Sequence, residues 1–217
     1  MLSFSHTAEY RHQAIPAAIA ALAGIADQRG WTFESSEDAS RFDDAGLSAF
    51  DVVVFLMTTG DVLSAEEEAA FERFIRSGKG YVGVHSAADT EYDWPWYGQL
   101  VGAYFLGHGD IQTASVLVDA PGHPALADVP DPWSRRDEWY GFQTNPRAAV
   151  EVLLRVDESS FTPGPGMMGD DHPIAWCHEF DGGRSFYTAL GHTADSYEEP
   201  AFLEHLAWGI EWAAGRR

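Results

Sequence analysis

The chain has 217 residues, of which 45% are hydrophobic and 22% are charged, and this length and composition suit one large globular domain. Its formal net charge of −21 argues against nucleic acid and anionic membranes as partners, because like charges repel. The one cysteine, Cys177, excludes an internal disulfide bond, and the longest apolar run, residues 52–57, is too short to cross a membrane.

The first part of the chain predicts strands that alternate with helices. We predict strands over residues 2–5, 31–35, 51–57 and 80–84, and helices over residues 11–29 and 64–78. The segment 51–57 is apolar throughout, which is typical of a parallel strand covered on both faces. Ser64 and Glu67 have the spacing of a capping box at the start of the second helix. This alternation indicates βαβ units and a parallel sheet.

The second part of the chain predicts strands without long helices between them. These strands cover residues 111–119, 151–156, 173–180 and 184–190, and a closing helix covers residues 200–214. The turn Asp181-Gly182-Gly183 predicts that the last two strands form an antiparallel hairpin. Residues 159–171, rich in glycine and proline, are predicted to form a long loop. We therefore expect a single α/β domain over residues 1–217, with a mostly parallel sheet and an antiparallel extension in its C-terminal half.

Several histidines stand where predicted strands end. His85 and His192 come directly after strands, His6 and His12 follow the first strand, and His108 follows Leu-Gly. Ligands of open α/β sheets bind beyond the carboxyl ends of the strands, so these side chains are expected to share a pocket. A single histidine at such a place is more often a hydrogen-bonded edge residue, and only their joint occurrence favours a functional site.

The other histidines are interpreted as structural. His123 and His172 are predicted to lie in turns, His178 within a strand and His205 within a helix. Histidines and carboxylates together would suit zinc or another divalent ion, but the chain has no His-Glu-x-x-His motif, so the sequence leaves metal binding open.

Two segments combine acidic and aromatic residues. One is Asp137-Glu138-Trp139-Tyr140, and the other, over residues 89–97, includes Asp89 and Trp94. Aromatic rings beside carboxylates are typical of sugar sites, where rings stack on C–H faces and acids accept hydroxyl protons. The alternative is that most of these rings fill the core.

Several enzyme classes lack their motifs in this chain. It contains no Gly-x-Ser-x-Gly, no phosphate-binding P-loop and no Rossmann glycine pattern. Cys177 and His178 are neighbours in a predicted strand and therefore point to opposite faces, so they cannot form a catalytic dyad. The only lysine, Lys79, lies between two glycines, which argues against a buried Schiff-base lysine. Because no basic, apolar leader follows Met1, we expect a cytoplasmic protein.

Ordered blocks of sequence along almost the whole chain resemble the ThuA-like proteins, which are associated with trehalose utilisation. The most specific are Gly80 to Asp89 (GYVGVHSAAD), Asp137-Glu-Trp-Tyr140 and Leu190-Gly-His-Thr193. Further blocks lie at residues 4–7, 10–12, 51–55, 59–61, 94–97, 100–103, 173–176 and 183–187.

This resemblance implies a flavodoxin-like three-layer sandwich of the class I glutamine amidotransferase type. In that wider group the turn that follows the strand carries a nucleophilic cysteine, and here His85 stands in its place. Loss of glutaminase activity is implied, together with a role in disaccharide catabolism by way of oxidised 3-keto sugars. The start of the chain is shorter than the family leads us to expect, which leaves open an extension upstream of Met1.

Our hypothesis for the function is an isomerase, epimerase or lyase that acts on a keto-sugar. His85 would transfer the proton next to the ketone, with His12 or Glu138 as its partner. His108 and His192 would orient the substrate or hold a metal. Further substrate contacts are expected from Asp89, Trp94, Asp137 and Tyr140.

Two alternatives remain at this level: a metal-dependent hydrolase of a sugar derivative, and a non-catalytic module that binds a sugar or a protein partner. A divalent metal ion, if one is bound, is expected among His12, His85, His108, His192 and Glu138. A homodimer is the commonest assembly of such a chain.

Overall fold

A computed structural model describes residues 1–216. Its strands are β1 (Leu2–Phe4), β2 (Glu34–Ser36), β3 (Val52–Leu56), β4 (Gly80–Val84), β5 (Phe105–His108), β6 (Gln112–Val118), β7 (Trp133–Asp137), β8 (Tyr140–Phe142), β9 (Glu151–Asp157), β10 (Pro173–Phe180) and β11 (Gly183–Thr188). Its α-helices are α1 (Ile15–Arg29), α2 (Asp44–Leu47), α3 (Ala65–Arg76), α4 (Pro95–Val101) and α5 (Pro200–Ala213).

Nine strands form one sheet in the order β2-β1-β3-β4-β11-β10-β9-β6-β7. The first five are mutually parallel and have the strand order of flavodoxin-like folds. From β11 onward every pairing is antiparallel. The α/β fold and its antiparallel extension are therefore confirmed. Strands β5 and β8 form a separate antiparallel ribbon.

Helices cover both faces of the parallel strands, and every residue of β3 and β4 is buried. On the face of α3 and α4, ring contacts join Phe55, Phe71, Tyr81 and Tyr97. On the face of α5, Gly209 packs so closely on Phe186 that an added Cβ would lie 2.5 Å from its ring. Within residues 1–216, no helix has the length and apolar character needed to span a lipid bilayer.

Two predicted boundaries in the first part of the chain were wrong. Helix α1 begins at Ile15, not at residue 11, because Pro16 lies in its first turn, where a missing N–H is tolerated. His12 therefore lies in the loop between β1 and α1. Strand β2 is shorter than predicted and starts at Glu34. The remaining predicted strands and helices match the structure to within a few residues.

His172 was predicted to be a turn residue but is fully buried. Its Nδ1 lies 2.7 Å from Glu158, and its Nε2 donates to the carbonyl oxygen of Tyr140 at 2.7 Å. This histidine therefore joins the segment before β10 to the start of β8. His178 in β10 is bound by the carbonyl oxygen of Gln99, and His205 in α5 by that of Ala125. The Cys177 thiol is buried.

Glu91, an acid of the acidic and aromatic segment over residues 89–97, is buried. Its carboxylate accepts the N–H groups of Val62 and Leu63 at 2.9 Å, and so fixes the loop between β3 and α3. Burial raises the pKa of Glu91 to about 7, although these two hydrogen bonds act to lower it.

We expect this carboxyl group to make folding pH-dependent. Because the pKa is raised in the folded state, the protonated form favours folding, and this stabilisation is complete below about pH 4.5 and is lost as the pH rises through about 7. Glu91→Gln keeps an acceptor oxygen for both N–H groups and is expected to remove this part of the pH dependence. Urea unfolding at pH 5 and pH 8 measures it, with the exposed Glu66→Gln as the control. Equal pH dependence in Glu91→Gln and the wild type would contradict the assignment.

Candidate functional site

Four side chains from distant parts of the chain meet at the carboxyl ends of the parallel strands. His12 follows β1, His85 follows β4, His192 follows β11, and Glu138 lies between β7 and β8. The ring centres of the three histidines are 4.9–5.1 Å apart, and each pair meets edge to face. We call these four residues the histidine centre.

His85 has a fixed backbone and a fixed tautomer. Its φ of +53° lies in the left-handed region, which turns the chain sharply at the end of β4. Tyr187 Oη donates to its carbonyl oxygen at 2.8 Å. His85 Nδ1 lies 2.7 Å from the carbonyl oxygen of Ala189, which can only accept, so Nδ1 carries the proton. The Nε2 lone pair therefore points at His192 Nδ1, 3.0 Å away.

Glu138 connects the buried histidines with His108. Its Oε2 lies 3.1 Å from His192 Nδ1 and 3.5 Å from His85 Nε2, while Oε1 lies 3.2 Å from His108 Nδ1. Burial acts to raise the pKa of Glu138, but its contacts with the imidazoles of His192 and His85 outweigh burial and hold the pKa well below its usual range. The carboxyl group is therefore ionised at neutral pH.

His12 completes the centre from the loop between β1 and α1. It is buried, and its Nδ1 lies 3.3 Å from Ser86 Oγ. Burial, together with the neighbouring His85 and His192, lowers the pKa of His12 to about 3. Its imidazole is therefore neutral at pH 7 and offers a lone pair.

Asp137 holds two members of the centre by their backbones. Its Oδ1 accepts the N–H groups of Glu138 and His192, both at 3.0 Å. Its Oδ2 accepts the N–H of Gly191 at 2.9 Å and Arg135 Nη2 at 3.1 Å. Gly191 has φ +107°, a conformation that favours glycine and brings its N–H to the carboxylate. Because Asp137 is fully buried and accepts from four protein donors, its place is that of a positioning residue and not of a sugar contact.

The β5–β8 ribbon brings His108 and Tyr140 to the edge of the centre, where they are paired in register. The Tyr140 ring packs against His85 with centroids 4.2 Å apart. The His108 side chain is 44% exposed, unlike the buried His12 and His85, so a ligand from solvent can reach it. Its Nδ1 lies 2.8 Å from the carbonyl oxygen of Gly109.

The other predicted site residues divide into near and distant ones. Asp89 is half-buried and accepts Tyr92 Oη at 2.6 Å, and burial raises its pKa, although the hydrogen bond from Tyr92 and the nearby His85 and His108 act to lower it. The structure does not bring Trp94 to the centre, since its indole donates to Glu72 and stacks with Trp96 and Tyr97. His6 is also separate, with Nδ1 on the carbonyl oxygen of Glu37.

Several supporting groups were not found from the sequence. They are Ser86, Tyr187 and the carbonyl oxygen of Ala189, which fix the rings or backbone of the histidines. Ser86 and Tyr187 lie within blocks that carry the family resemblance, and Ala189 directly precedes another, but the direction of a backbone carbonyl has no signature in the sequence. Of the possible metal ligands, His12, His85, Glu138 and His192 each offer an atom, and these atoms lie within 4.8 Å of one another.

The sequence of the chain matches the ThuA family, trehalose utilisation, over residues 1–213. No curated protein matches it.

Solved structures share the fold of the chain. A ThuA-like protein from Bacteroides uniformis has a TM-score of 0.80 at 21% identity, with 98% of this chain and 91% of that chain covered. A ThuA-like protein from Parabacteroides merdae has a TM-score of 0.78 at 18% identity, with 100% and 91% covered. A cytoplasmic protein from Salmonella typhimurium has a TM-score of 0.67 at 11% identity, with 98% of each chain covered. At these identities the likeness shows a common fold.

Proposed function

The chain belongs to the ThuA family, trehalose utilisation, and on this premise we propose that it is a carbohydrate-modifying enzyme that acts on a keto-sugar. The proposed reaction removes the proton from the carbon next to the ketone. The observation that carries the proposal is the convergence of three histidines and Glu138 in one place at the switch-point edge of the sheet. Several ionisable groups that share one crevice suit catalysis better than recognition alone.

His108 is the group best placed to take the proton. Its Nδ1 faces two acceptors, the carbonyl oxygen of Gly109 and Oε1 of Glu138, so Nδ1 carries the ring proton in the neutral form. Nε2 then has a lone pair, and the exposed ring can present it to a substrate. His85 is less suitable as the base, because its ring is fully buried. The proposal therefore gives His108 the role that the sequence suggested for His85.

The chemistry after proton removal decides the product class. The electron pair of the broken C–H bond moves into an enolate, and the proton resides on His108 Nε2. Return of a proton to the other face gives an epimer, and return to a neighbouring carbon after enediol formation gives an isomer. If the glycosidic oxygen leaves the carbon next to the one that lost its proton, the result is elimination, and the leaving oxygen takes up a proton. All three outcomes begin with the same step, so one test addresses them together.

We expect the protein to exchange the hydrogen next to the ketone of a 3-keto-sugar with deuterium from D2O. Proton NMR of 3-keto-glucosides, with and without added divalent ions, measures this exchange before any product is known. His108→Asn keeps a donor near the position of Nδ1 and lacks Nε2, so exchange should fall by about 100- to 10,000-fold.

The matched control is His6→Asn, which changes an exposed histidine outside the centre and should leave exchange unchanged. Absence of exchange by the wild type, with and without metal, would contradict the proposed function. Undiminished exchange in His108→Asn would remove the role of this residue. A cytoplasmic setting belongs to the proposal and is supported by the single cysteine of the chain.

A further inference from the structure

We propose that His12, His85, Glu138 and His192 bind a divalent transition-metal ion of the zinc class. The inference rests on the proposed function and deepens it, because a cation at this place that expanded from four to five ligands would polarise the carbonyl oxygen of the keto-sugar and stabilise the enolate. Three imidazoles and one carboxylate are a donor set that suits zinc and neighbouring transition metals, whereas magnesium and calcium prefer oxygen ligands.

The distances between the donor atoms are close to those between neighbouring ligand atoms around a bound metal ion. The atoms His85 Nε2, His192 Nδ1 and Glu138 Oε2 form a triangle with sides of 3.0, 3.1 and 3.5 Å. In a tetrahedral site with bonds of about 2.0–2.1 Å, neighbouring ligand atoms lie roughly 3.3–3.4 Å apart. A donor atom of His12 lies within 4.8 Å of all three and can supply the fourth ligand.

The three atoms of this triangle have too few protons to be satisfied by hydrogen bonds with one another. In the neutral ring the proton of His85 is on Nδ1, facing Ala189, so Nε2 offers only a lone pair, and a carboxylate oxygen such as Oε2 of Glu138 also accepts. His192 Nδ1 is the only donor available to both, with a single proton between two acceptors. A cation would instead use all three lone pairs, with the His192 proton on Nε2. This tautomer change needs no movement of the rings.

The surroundings of the centre resemble the support that metal-binding histidines receive elsewhere. Such histidines usually donate their second ring N–H to a carbonyl or a carboxylate, as His85 does to Ala189. Asp137 holds the backbones of Glu138 and His192 in their relative positions. Oε1 of Glu138 faces His108, so one carboxylate links the proposed cation with the proposed base.

A second group of possible ligands in the described chain, His123, Glu151 and Cys177, is much less suitable. His123 Nδ1 accepts the N–H of Ala125, and Glu151 lies exposed at the start of β9. Burial raises the pKa of the Cys177 thiol to about 12, which disfavours the thiolate that a metal requires. This group serves as the internal control.

Metal binding can be measured without any substrate. Protein treated with a chelator and then desalted is titrated with Zn²⁺, Mn²⁺, Mg²⁺ or Ca²⁺ by calorimetry, and metal content is measured after dialysis. We expect one equivalent of Zn²⁺ per chain, a raised melting temperature, and no comparable response to Mg²⁺ or Ca²⁺. Glu138→Gln and His192→Ala should each weaken Zn²⁺ binding by at least about tenfold, as measured by chelator competition.

His123→Ala should retain the full Zn²⁺ affinity. Absence of Zn²⁺ binding by the wild type would overturn the inference. Zn²⁺ binding by Glu138→Gln and His192→Ala as tight as that of the wild type would overturn it too. Loss of binding in His123→Ala instead would assign the ion to the other group and overturn it as well. The failure of this inference can be distinguished from failure of the proposed function. Deuterium exchange without metal binding contradicts only the inference. Metal binding without deuterium exchange contradicts only the proposed function.

Discussion

Replacing His85 by asparagine is expected to abolish turnover and leave the fold intact. Asparagine tolerates the left-handed backbone conformation at this position, and its side-chain amide can donate to the carbonyl oxygen of Ala189 in place of Nδ1. It has no atom in place of Nε2, which faces His192 and Glu138. Only the inner edge of the ring is therefore removed.

We expect deuterium exchange into the keto-sugar to fall by about 100- to 10,000-fold in His85→Asn, because this variant loses Nε2, a ligand of the proposed cation that would stabilise the enolate. The loss of stability should be about 1 kcal/mol, which for a chain of this size lowers the melting temperature by roughly 2–4 °C. Circular dichroism and thermal unfolding check the fold, and NMR checks exchange, with His6→Asn as the control outside the centre. Turnover equal to that of the wild type would show that His85 is only a structural residue at the end of β4.

The second large effect is expected for Asp137→Asn, which should weaken both the fold and the site. The carboxylate accepts two protein donors on each oxygen, whereas an asparagine has one carbonyl oxygen and one amide nitrogen. In either orientation two donors then face the amide nitrogen, without an acceptor and in a fully buried place. The charge that pairs with the buried Arg135 is lost as well.

Removing one partner of a buried, hydrogen-bonded ion pair usually costs about 3–5 kcal/mol, and we expect a decrease of this order in the free energy of unfolding. Exchange activity should fall by about 10- to 100-fold at temperatures where the variant is folded, because Glu138 and His192 lose their common anchor. Urea unfolding and NMR measure the two effects.

The control is Asp44→Asn, which removes an exposed ion pair with Arg73 and should cost less than about 1 kcal/mol. A variant of Asp137 that loses stability but keeps full exchange activity would limit this carboxylate to a folding role. A variant that keeps both would contradict the anchor itself.

The parallel half of the fold could be predicted from the sequence because its signals are local. The run at residues 51–57 is apolar without interruption, and the capping box of Ser64 and Glu67 marks the start of α3. The first pattern is typical of a strand buried on both faces, and the second of a helix end. Both can be recognised from residues that are adjacent in the sequence.

Strand β7 was missed for a physical reason. Its burial alternates, as a strand requires, but the inward positions are Trp133, Arg135 and Asp137. A search for alternating apolar residues fails where an ion pair faces inward. The β5–β8 ribbon was missed because its strands are only three to four residues long, and because β5 is partly exposed.

The sequence by itself determined that histidines stand at the carboxyl ends of several strands, which indicated one shared crevice. Only the tertiary structure decided which groups meet there and with which atoms. His85 meets His192 across 107 positions of the chain, and Asp137 holds Gly191 across 54. Strand ends follow from local residue patterns, but the direction of each ring nitrogen depends on strand order and on backbone carbonyls such as that of Ala189. No local pattern specifies these, and for this reason the proposed role of His108 and the surroundings of Trp94 and Asp137 could be found only from the fold.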